Sequence, residues 1–459
     1  MKLPFDLAVE AAGARVLDAE NAPPFVEITT DTRTIVPGQT FLALRGDRYD
    51  GHDYAPLAVE HGAAALVLSE AARRPQGVAT LLVEDTLRAY LALARAARDR
   101  SGARVLAITG SAGKTTTKSL ASQLLAAEYG ERVLVSPANE NNEIGVSKLL
   151  LSIEEGVHEI VVVEMGARHY GDIATLVHAA RPQVGVLTNV ADAHLEIMGS
   201  RERLEETKWA IFGEGARAIL NASDVASIRR APALHEVPHW FFAGRPEENV
   251  PIYGRVTALV GARQWIEIDG DRETIAGVDV RLPGAHNKAN LAGAIAAAIE
   301  FGVPVARIVE AIPCLHLPTG RYERIDLPNG VRLIYDAYNA NAAGMIAALD
   351  AFAHEEARRH IALLGSMAEL GESAADLHRR VGAHAAAVHV DVMLVGGEFA
   401  GELALGARGA GLPSERIVTF MTNDQAAQWV RENAHAGDAV LLKGSRKYKL
   451  EEIVRELRH

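Results

Sequence analysis

The sequence predicts an α/β protein of three domains, the second and third built on largely parallel sheets. Three observations carry that expectation. The 459 residues exceed what one hydrophobic core usually supports. At 105–119, VLAITGSAGKTTTKS, a β-branched apolar strand runs through a glycine turn into a lysine and three threonines that open a helix. After the loop CLHLPTGRYERI, the alternation of apolar strands with helix-period segments starts again.

Residues 1–84 read as a small α/β domain: short elements around TTDTRTIVPGQTFLALRGDRYDGHDY, then helix-like YAPLAVEHGAAA and strand-like ALVL. Residues 85–316 form the central domain. The helix DTLRAYLALARAARDR leads into the glycine turn, and EIVVVEMG, VGVLTNV and ARAILNAS supply parallel strands. From about 236 to 283, RVTALV and RQWIEIDG with the turn DGDRE predict an antiparallel insertion, and PGAHNKANLAGAIAAAIEFG a long alanine-rich helix. Residues 317–459 read as a Rossmann-like, doubly wound domain with four strands, in RLIYDAYNA, HIALLGSMAELG, VDVMLVGGEF and DAVLLKGSR. Ligands of such sheets bind beyond the strand carboxyl ends, where Asp336, Asn339, Asn341, Gly365, Glu369 and Lys443 fall.

Composition narrows the function. A net charge of −12 argues against a general nucleic-acid or anionic-membrane binder, so any phosphate-binding charge must be local. Apolar residues at 49% with aromatics at only 5% suit tightly packed α/β layers. The single cysteine, Cys314, excludes an internal disulfide and a cysteine metal cluster, and reads as a small buried apolar residue. The N-terminal stretch MKLPFDLAVEAAGARV lacks the pattern of a signal peptide, and no apolar run approaches a membrane span. A soluble cytoplasmic protein is expected.

The glycine turn is a phosphate cradle. Gly110 and Gly113 allow close backbone approach, the helix N-terminus offers free N–H groups, and Lys114 adds a full charge. Thr115 or Thr116 can give a hydroxyl to Mg²⁺. The spacing G-x-x-G-K-T is two residues shorter than the common phosphate-loop pattern, but the flanking strand and helix support it. Glu164 ends an apolar strand near the cradle, placed either to bind Mg²⁺ or to cap the next helix. His194 follows another strand, where a lone histidine is usually structural. Lys208 shares a face with Leu204 and Phe212, so it lies inward and tends to lose its charge, or else it snorkels to the surface. A neutral amine there can take up CO₂ as a carbamate, an anionic ligand for a second Mg²⁺.

The segments TGSAGKTTTK, NNEIGVSKLLL, VVVEMGARHYGDI, NVADAHLEIMGS, PGAHNKANLAGAIAA, DAYNANAAGM, LLGSMAELGESAADLH and LLKGSR occur in the order found in the Mur ligases, and the chain resembles that family over nearly its whole length. The resemblance implies an ATP-dependent ligase of peptidoglycan precursor synthesis. It would join D-alanyl-D-alanine to a UDP-linked muramoyl tripeptide through an acyl phosphate, and act as a monomer on small molecules without nucleic acid or membrane insertion. It further implies that Thr109, Gly110, Ser111, Ala112, Gly113, Lys114, Thr115 and Thr116 hold ATP, with His286, Asn287 and Asn290 on the adenine side. Arg321 and Asp336 would swing onto the nucleotide. Thr115, Glu164, His194 and a carbamylated Lys208 would serve two Mg²⁺, with Lys114, Lys208 and His194 acting in catalysis. Asp31, Arg33, Gly46, Asp50, Gly51 and His52 mark a uridine-nucleotide end in the N-terminal domain. Tyr338, Asn339, Asn341, Lys443, Ser445 and Arg446 match dipeptide and closure contacts. Where the family usually shows N-I-G-P-A-H-L, A-K-G-E and Y-N-A-N-P, this chain has NVADAHL, TKWA and YNANA. These departures leave a ligase joining another amine to a different carboxylate as the alternative. A phosphate-loop kinase and a non-catalytic nucleotide-gated module are the rivals from other classes.

Overall fold

The computed structural model describes residues 1–458 apart from 47, 139, 192–197, 237, 244–254, 261–264, 269–272 and 277–279. Its central feature is a nine-stranded sheet. In spatial order the strands are Glu273–Ala276, Trp265–Ile268, Arg255–Val260, His239–Ala243, Arg217–Asn221, Val184–Leu187, Arg104–Thr109, Ile160–Glu164 and Val133–Val135. Side chains alternate across a strand, and the chain uses both faces. Val105, Ala107, Val161 and Val163 enter one apolar layer together with the helix Thr86–Ser101, while Leu106, Ile108, Ile160 and Val162 enter the other, beneath the helices Lys114–Tyr129 and Gly284–Glu300. Burial on both faces explains why these strands read as continuous apolar runs.

Pairing is parallel from Val133–Val135 through to Arg255–Val260. Only the last two pairs are antiparallel. The stretch expected as an antiparallel insertion therefore first extends the parallel sheet with His239–Ala243 and Arg255–Val260 and reverses only at its edge. The expected turn DGDRE falls largely on residues 269–272, outside the described residues.

The N-terminal region carries a five-stranded sheet, ordered Arg15–Leu17, Ala79–Leu82, Ala65–Leu68, Thr40–Leu42 and Ile28–Thr29. Its helix Ala55–Glu60 is shorter than expected and stops before Gly62, whose φ of +94° suits glycine. The C-terminal sheet has six strands rather than four: Glu323–Asp326, Arg332–Tyr335, Ala439–Lys443, His360–Gly365, Val392–Gly396 and Ile417–Phe420. The two additional strands are the edges. Edge strands carry less of the apolar signal, and ERID and IVTF are each only partly buried. Cys314 also departs from expectation. It is exposed, in the turn Ile312–Cys314 whose one buried residue is Ile312. No helix among the described residues is long and apolar enough to cross a membrane.

Asp438 fixes the start of the strand that delivers Lys443. Burial would raise its pKa, but hydrogen bonds from Arg359, the His435 amide and Arg358 bring it down to about 2. A carboxylate whose folded pKa lies below its unfolded value stabilises fully above about pH 4 and loses that contribution as pH falls toward the folded value. The stability gap between wild type and Asp438→Asn, measured by urea unfolding, is therefore expected to shrink as pH drops from about 4 to about 2.

Candidate active site

The cradle is held from beneath by the loop that follows the neighbouring strand Val184–Leu187. Thr188 Oγ1 donates to the Ala112 carbonyl at 2.6 Å, and Asn189 pairs its side-chain amide with both Ala112 backbone groups, accepting at 3.0 Å and donating at 3.2 Å. Ser111 N–H donates to Asn189 O at 3.0 Å, and Ser111 Oγ donates to Ala191 O at 2.8 Å. A Cβ at Gly110 would overlap the Thr188 hydroxyl, so only glycine fits that approach. Gly113, at φ +83°, stands as N-cap of Lys114–Tyr129 with no side-chain cap. The first N–H groups of that helix have no intrahelical partner, the arrangement that suits an anion.

Two lysines converge on one carbonyl oxygen. Lys114 Nζ donates to Gly110 O at 2.8 Å and Lys208 Nζ to the same oxygen at 3.3 Å. Lys208 is 2% exposed, and burial, with the neighbouring Lys114 charge, pushes its pKa down to about 7. Burial also lowers Lys114, against the pull of Glu164. From the turn before the C-terminal strand Glu323–Asp326, Arg321 Nη2 donates to Thr115 Oγ1 at 3.4 Å while its guanidinium lies 4.5 Å from the centre of the Tyr338 ring. Asn341 Nδ2 donates to Ser111 O at 3.3 Å. The structure thus brings residues separated by some 200 positions onto a single turn.

Glu164 is buried at the end of its strand. Its Oε1 accepts from Asn141 Nδ2 at 2.9 Å and its own N–H donates to Ser136 Oγ at 3.1 Å. Oε2 has no hydrogen bond among the described residues, and Lys118 Nζ stands 3.5 Å away. A buried carboxylate oxygen that faces a lysine but accepts no hydrogen bond among the described residues fits a hard divalent cation. His194, the other expected metal ligand, lies outside the described residues.

Among the adenine-side candidates, Asn290 presses on the cradle: it accepts from Thr117 Oγ1 at 3.3 Å, and a Cβ on Gly113 would overlap its Oδ1. Asn287 Nδ2 donates back to Pro283 O, and His286, its pKa lowered by burial, has its ring 6.3 Å from that of Tyr322. Lys443 is tied within its own sheet, 2.9 Å from Asp336 Oδ2 and donating to the carbonyls of Asp336 and Asn339. Asn339 accepts the Ala340 N–H, the Ser445 N–H donates to Ser366 O, and Arg446 pairs with Glu451. These last residues are not brought onto the cradle by their own contacts. At the N-terminal end, Asp31 pairs with Arg33, and Asp50 is shared by Arg45, Arg73 and His52. His52 is buried, its Nε2 accepting the Ser69 N–H, which leaves Nδ1 to donate to Asp50. Gly51 lies against the Leu44 backbone, and Gly46 against the Tyr49 ring.

Sequence reasoning passed over Lys118, Asn141, Thr188 and Asn189. Lys118 had a readable signal, since it follows Lys114 by one helical turn. The other three act through pairings between loops that no local pattern announces.

The chain matches the models for the Mur ligase family catalytic domain at residues 24–110, the Mur ligase middle domain at 108–298 and the Mur ligase glutamate ligase domain at 320–446. It is 34% identical to the UDP-N-acetylmuramoyl-tripeptide–D-alanyl-D-alanine ligase of Synechocystis, over 94% of this chain and 91% of the relative. It is 33% identical to the enzyme of the same name from Escherichia coli, over 94% and 93%. The crystal structure of MurF from Acinetobacter baumannii superposes with a TM-score of 0.86 at 25% identity, covering 100% of this chain and 99% of that one. MurF from Thermotoga maritima in complex with ADP gives 0.78 at 26% identity, covering 94% and 97%. On this agreement of sequence along its length with the architecture described above, the chain belongs to the Mur ligase family.

Proposed function

We propose that this protein joins D-alanyl-D-alanine to UDP-N-acetylmuramoyl-tripeptide, the two substrates its relatives are named for, and does so at the expense of ATP, acting as a cytoplasmic monomer with domains at 1–84, 85–316 and 317–459. The observation that carries the reading is the convergence of Lys114, Lys208, Arg321 and Asn341 on the turn 110–115. Cations and free helix N–H groups there suit a triphosphate, and contacts from the third sheet suit a site that must shut.

The chemistry follows from what those groups do. The helix N-terminus and Lys114 grip the phosphates, with Lys114 giving up the Gly110 carbonyl for the stronger charge-assisted partner. The tripeptide carboxylate attacks the γ-phosphorus in line, ADP leaves, and an acyl phosphate results. Arg321, delivered from the turn before Glu323–Asp326, neutralises charge on the transferring group, and with Asn341 it excludes water from an intermediate that hydrolyses readily. The neutral amine of the dipeptide then attacks the acyl carbon, inorganic phosphate departs, and a proton is released as the amide forms. Magnesium bound through Glu164, the Thr115 hydroxyl and His194 would supply further charge neutralisation on the phosphates. Lys208 contributes as a neutral amine that adds CO₂ and loses a proton, giving a carbamate for a second ion. His286, Asn287 and Asn290 would face adenine. Asp31, Arg33, Gly46, Asp50, Gly51 and His52 would shape the uridine end, with Tyr338, Asn339, Lys443, Ser445 and Arg446 at the dipeptide end.

Phosphate release from ATP and UDP-linked tripeptide is expected to depend on D-alanyl-D-alanine, with the amide product identified by mass. Stimulation only by another amine would overturn the choice of acceptor. Lys114→Ala is expected to lose about 100-fold or more in kcat/KM with an unchanged thermal midpoint, because it removes a preorganised cation from the transferring group. Lys208→Ala should be comparably impaired and partly restored by small carboxylates. In the wild type, ¹³CO₂ is expected to give a carbamate resonance that grows as pH rises through about 7 and fades below it, since only the neutral amine reacts. A fully active Lys208→Ala enzyme would rule the carbamate out.

A further inference from the structure

Lys118 takes part in none of the steps above, yet it is buried against the carboxylate assigned to magnesium. Its Nζ donates to Ser136 O at 2.9 Å and Ala138 O at 2.8 Å, and lies 3.5 Å from Glu164 Oε2. Both carbonyls belong to the segment leaving the strand Val133–Val135. That segment also holds Glu164, through Ser136 Oγ accepting the Glu164 N–H and Asn141 donating to Oε1. Ala138 within it has φ +37°, a left-handed conformation that costs a residue with a Cβ and persists only where its surroundings impose it. The Asn141 carbonyl in turn accepts the Gly166 N–H at 2.8 Å, joining the segment to the chain just beyond Glu164.

We infer that Lys118 is a positioning residue: from the phosphate-loop helix it clamps the Ser136–Ala138 turn, so that Asn141 and Ser136 fix Glu164 with Oε1 engaged and Oε2, which accepts no hydrogen bond among the described residues, turned to where a divalent cation would bind. One helix then carries two lysines with separate tasks, Lys114 toward phosphate and Lys118 toward the metal-facing carboxylate. The clamp works through backbone carbonyls and does not need the Glu164 charge. Its consequence for the cation rests on the reading of Glu164 as a metal ligand, and the two parts are tested apart.

The ligand-free protein tests the clamp. In Lys118→Met the Ser136, Glu164 and Gly166 amides are expected to exchange hydrogen about tenfold faster or more, as their shared turn loosens. In Glu164→Gln the Ser136 and Gly166 amides should keep wild-type protection. Unchanged exchange in Lys118→Met, or protection lost in Glu164→Gln, would overturn the clamp, and the second variant decides the matter should the first fail to fold. The turnover assay tests the consequence. The Mg²⁺ concentration for half-maximal rate is expected to rise about tenfold in Lys118→Met, as when a partner that orients a metal ligand is lost, with KM for the UDP-linked tripeptide unchanged and kcat recovering at high Mg²⁺. Faster exchange with an unaltered Mg²⁺ requirement would retain the clamp and overturn the metal reading of Glu164. A kcat lost equally at every Mg²⁺ concentration would overturn the assignment of Lys118 to the metal.

Discussion

The rest of this structure depends on an imbalance of charge around the Gly110 carbonyl. Among the described residues, Lys114, Lys208 and Arg321 gather about the glycine turn, Lys118 stands one helical turn beyond it, and Glu164 is the carboxylate set among them. Burying charge without partners is expensive, and the protein meets that cost in three ways. Carbonyl oxygens of Gly110, Ser136 and Ala138 accept from the lysines, Lys208 gives up its proton readily, and Arg321 spreads over the Tyr338 ring. Each is a substitute for an anion. A triphosphate entering the turn would replace neutral acceptors with charged ones, which form the stronger hydrogen bonds. In a chain of net charge −12, this surplus is local and buried, which disfavours non-specific polyanions while favouring one that fits.

Sheet topology creates the imbalance. Arg104–Thr109 lies between Val184–Leu187 and Ile160–Glu164, all parallel, so three carboxyl ends open at the same edge. One gives the glycine turn, one gives Glu164, and one gives the Thr188–Asn189 loop that holds the turn. Helix propensity and local patterning do none of this. Because apolar residues fill both faces of these strands, the polar groups can emerge only at their ends, and the chemistry is placed there by the same packing that stabilises the sheet.

That division explains what could be read in the residues beforehand. The parallel strands were legible because double burial writes apolar runs such as IVVVE, and the strand–turn–helix around Gly113 was legible because two glycines interrupt an apolar run just before a helix-forming segment. The edge strands ERID and IVTF were not, since half-exposed strands carry a weak signal, and Cys314 was misjudged because a lone small residue does not report which way its turn faces. The inward position of Lys208 followed from the i, i+4 face it shares with Leu204. Asn189 and Lys118 escaped notice for another reason: their work is done on carbonyls from distant loops, and carbonyls leave no trace in a sequence.

The contacts between the third sheet and the cradle are few and long. Arg321 to Thr115 at 3.4 Å and Asn341 to Ser111 at 3.3 Å are each worth no more than about 1 kcal/mol net. Asn341 also caps the helix Ala342–Phe352 by accepting the Gly344 N–H, so its reach toward the loop uses only its amide nitrogen and leaves the helix start intact whether or not the contact is made. Arg321 keeps its place over Tyr338 in the same way, and its buried Nε has no hydrogen-bond partner among the described residues. These two bonds add to the packing of the helix Gly284–Glu300 against Ala342–Phe352, and Arg321 is a cationic donor in hand for an anion on the turn. An anion that binds the turn and Arg321 together would favour the arrangement in which they meet, by its differential affinity for it.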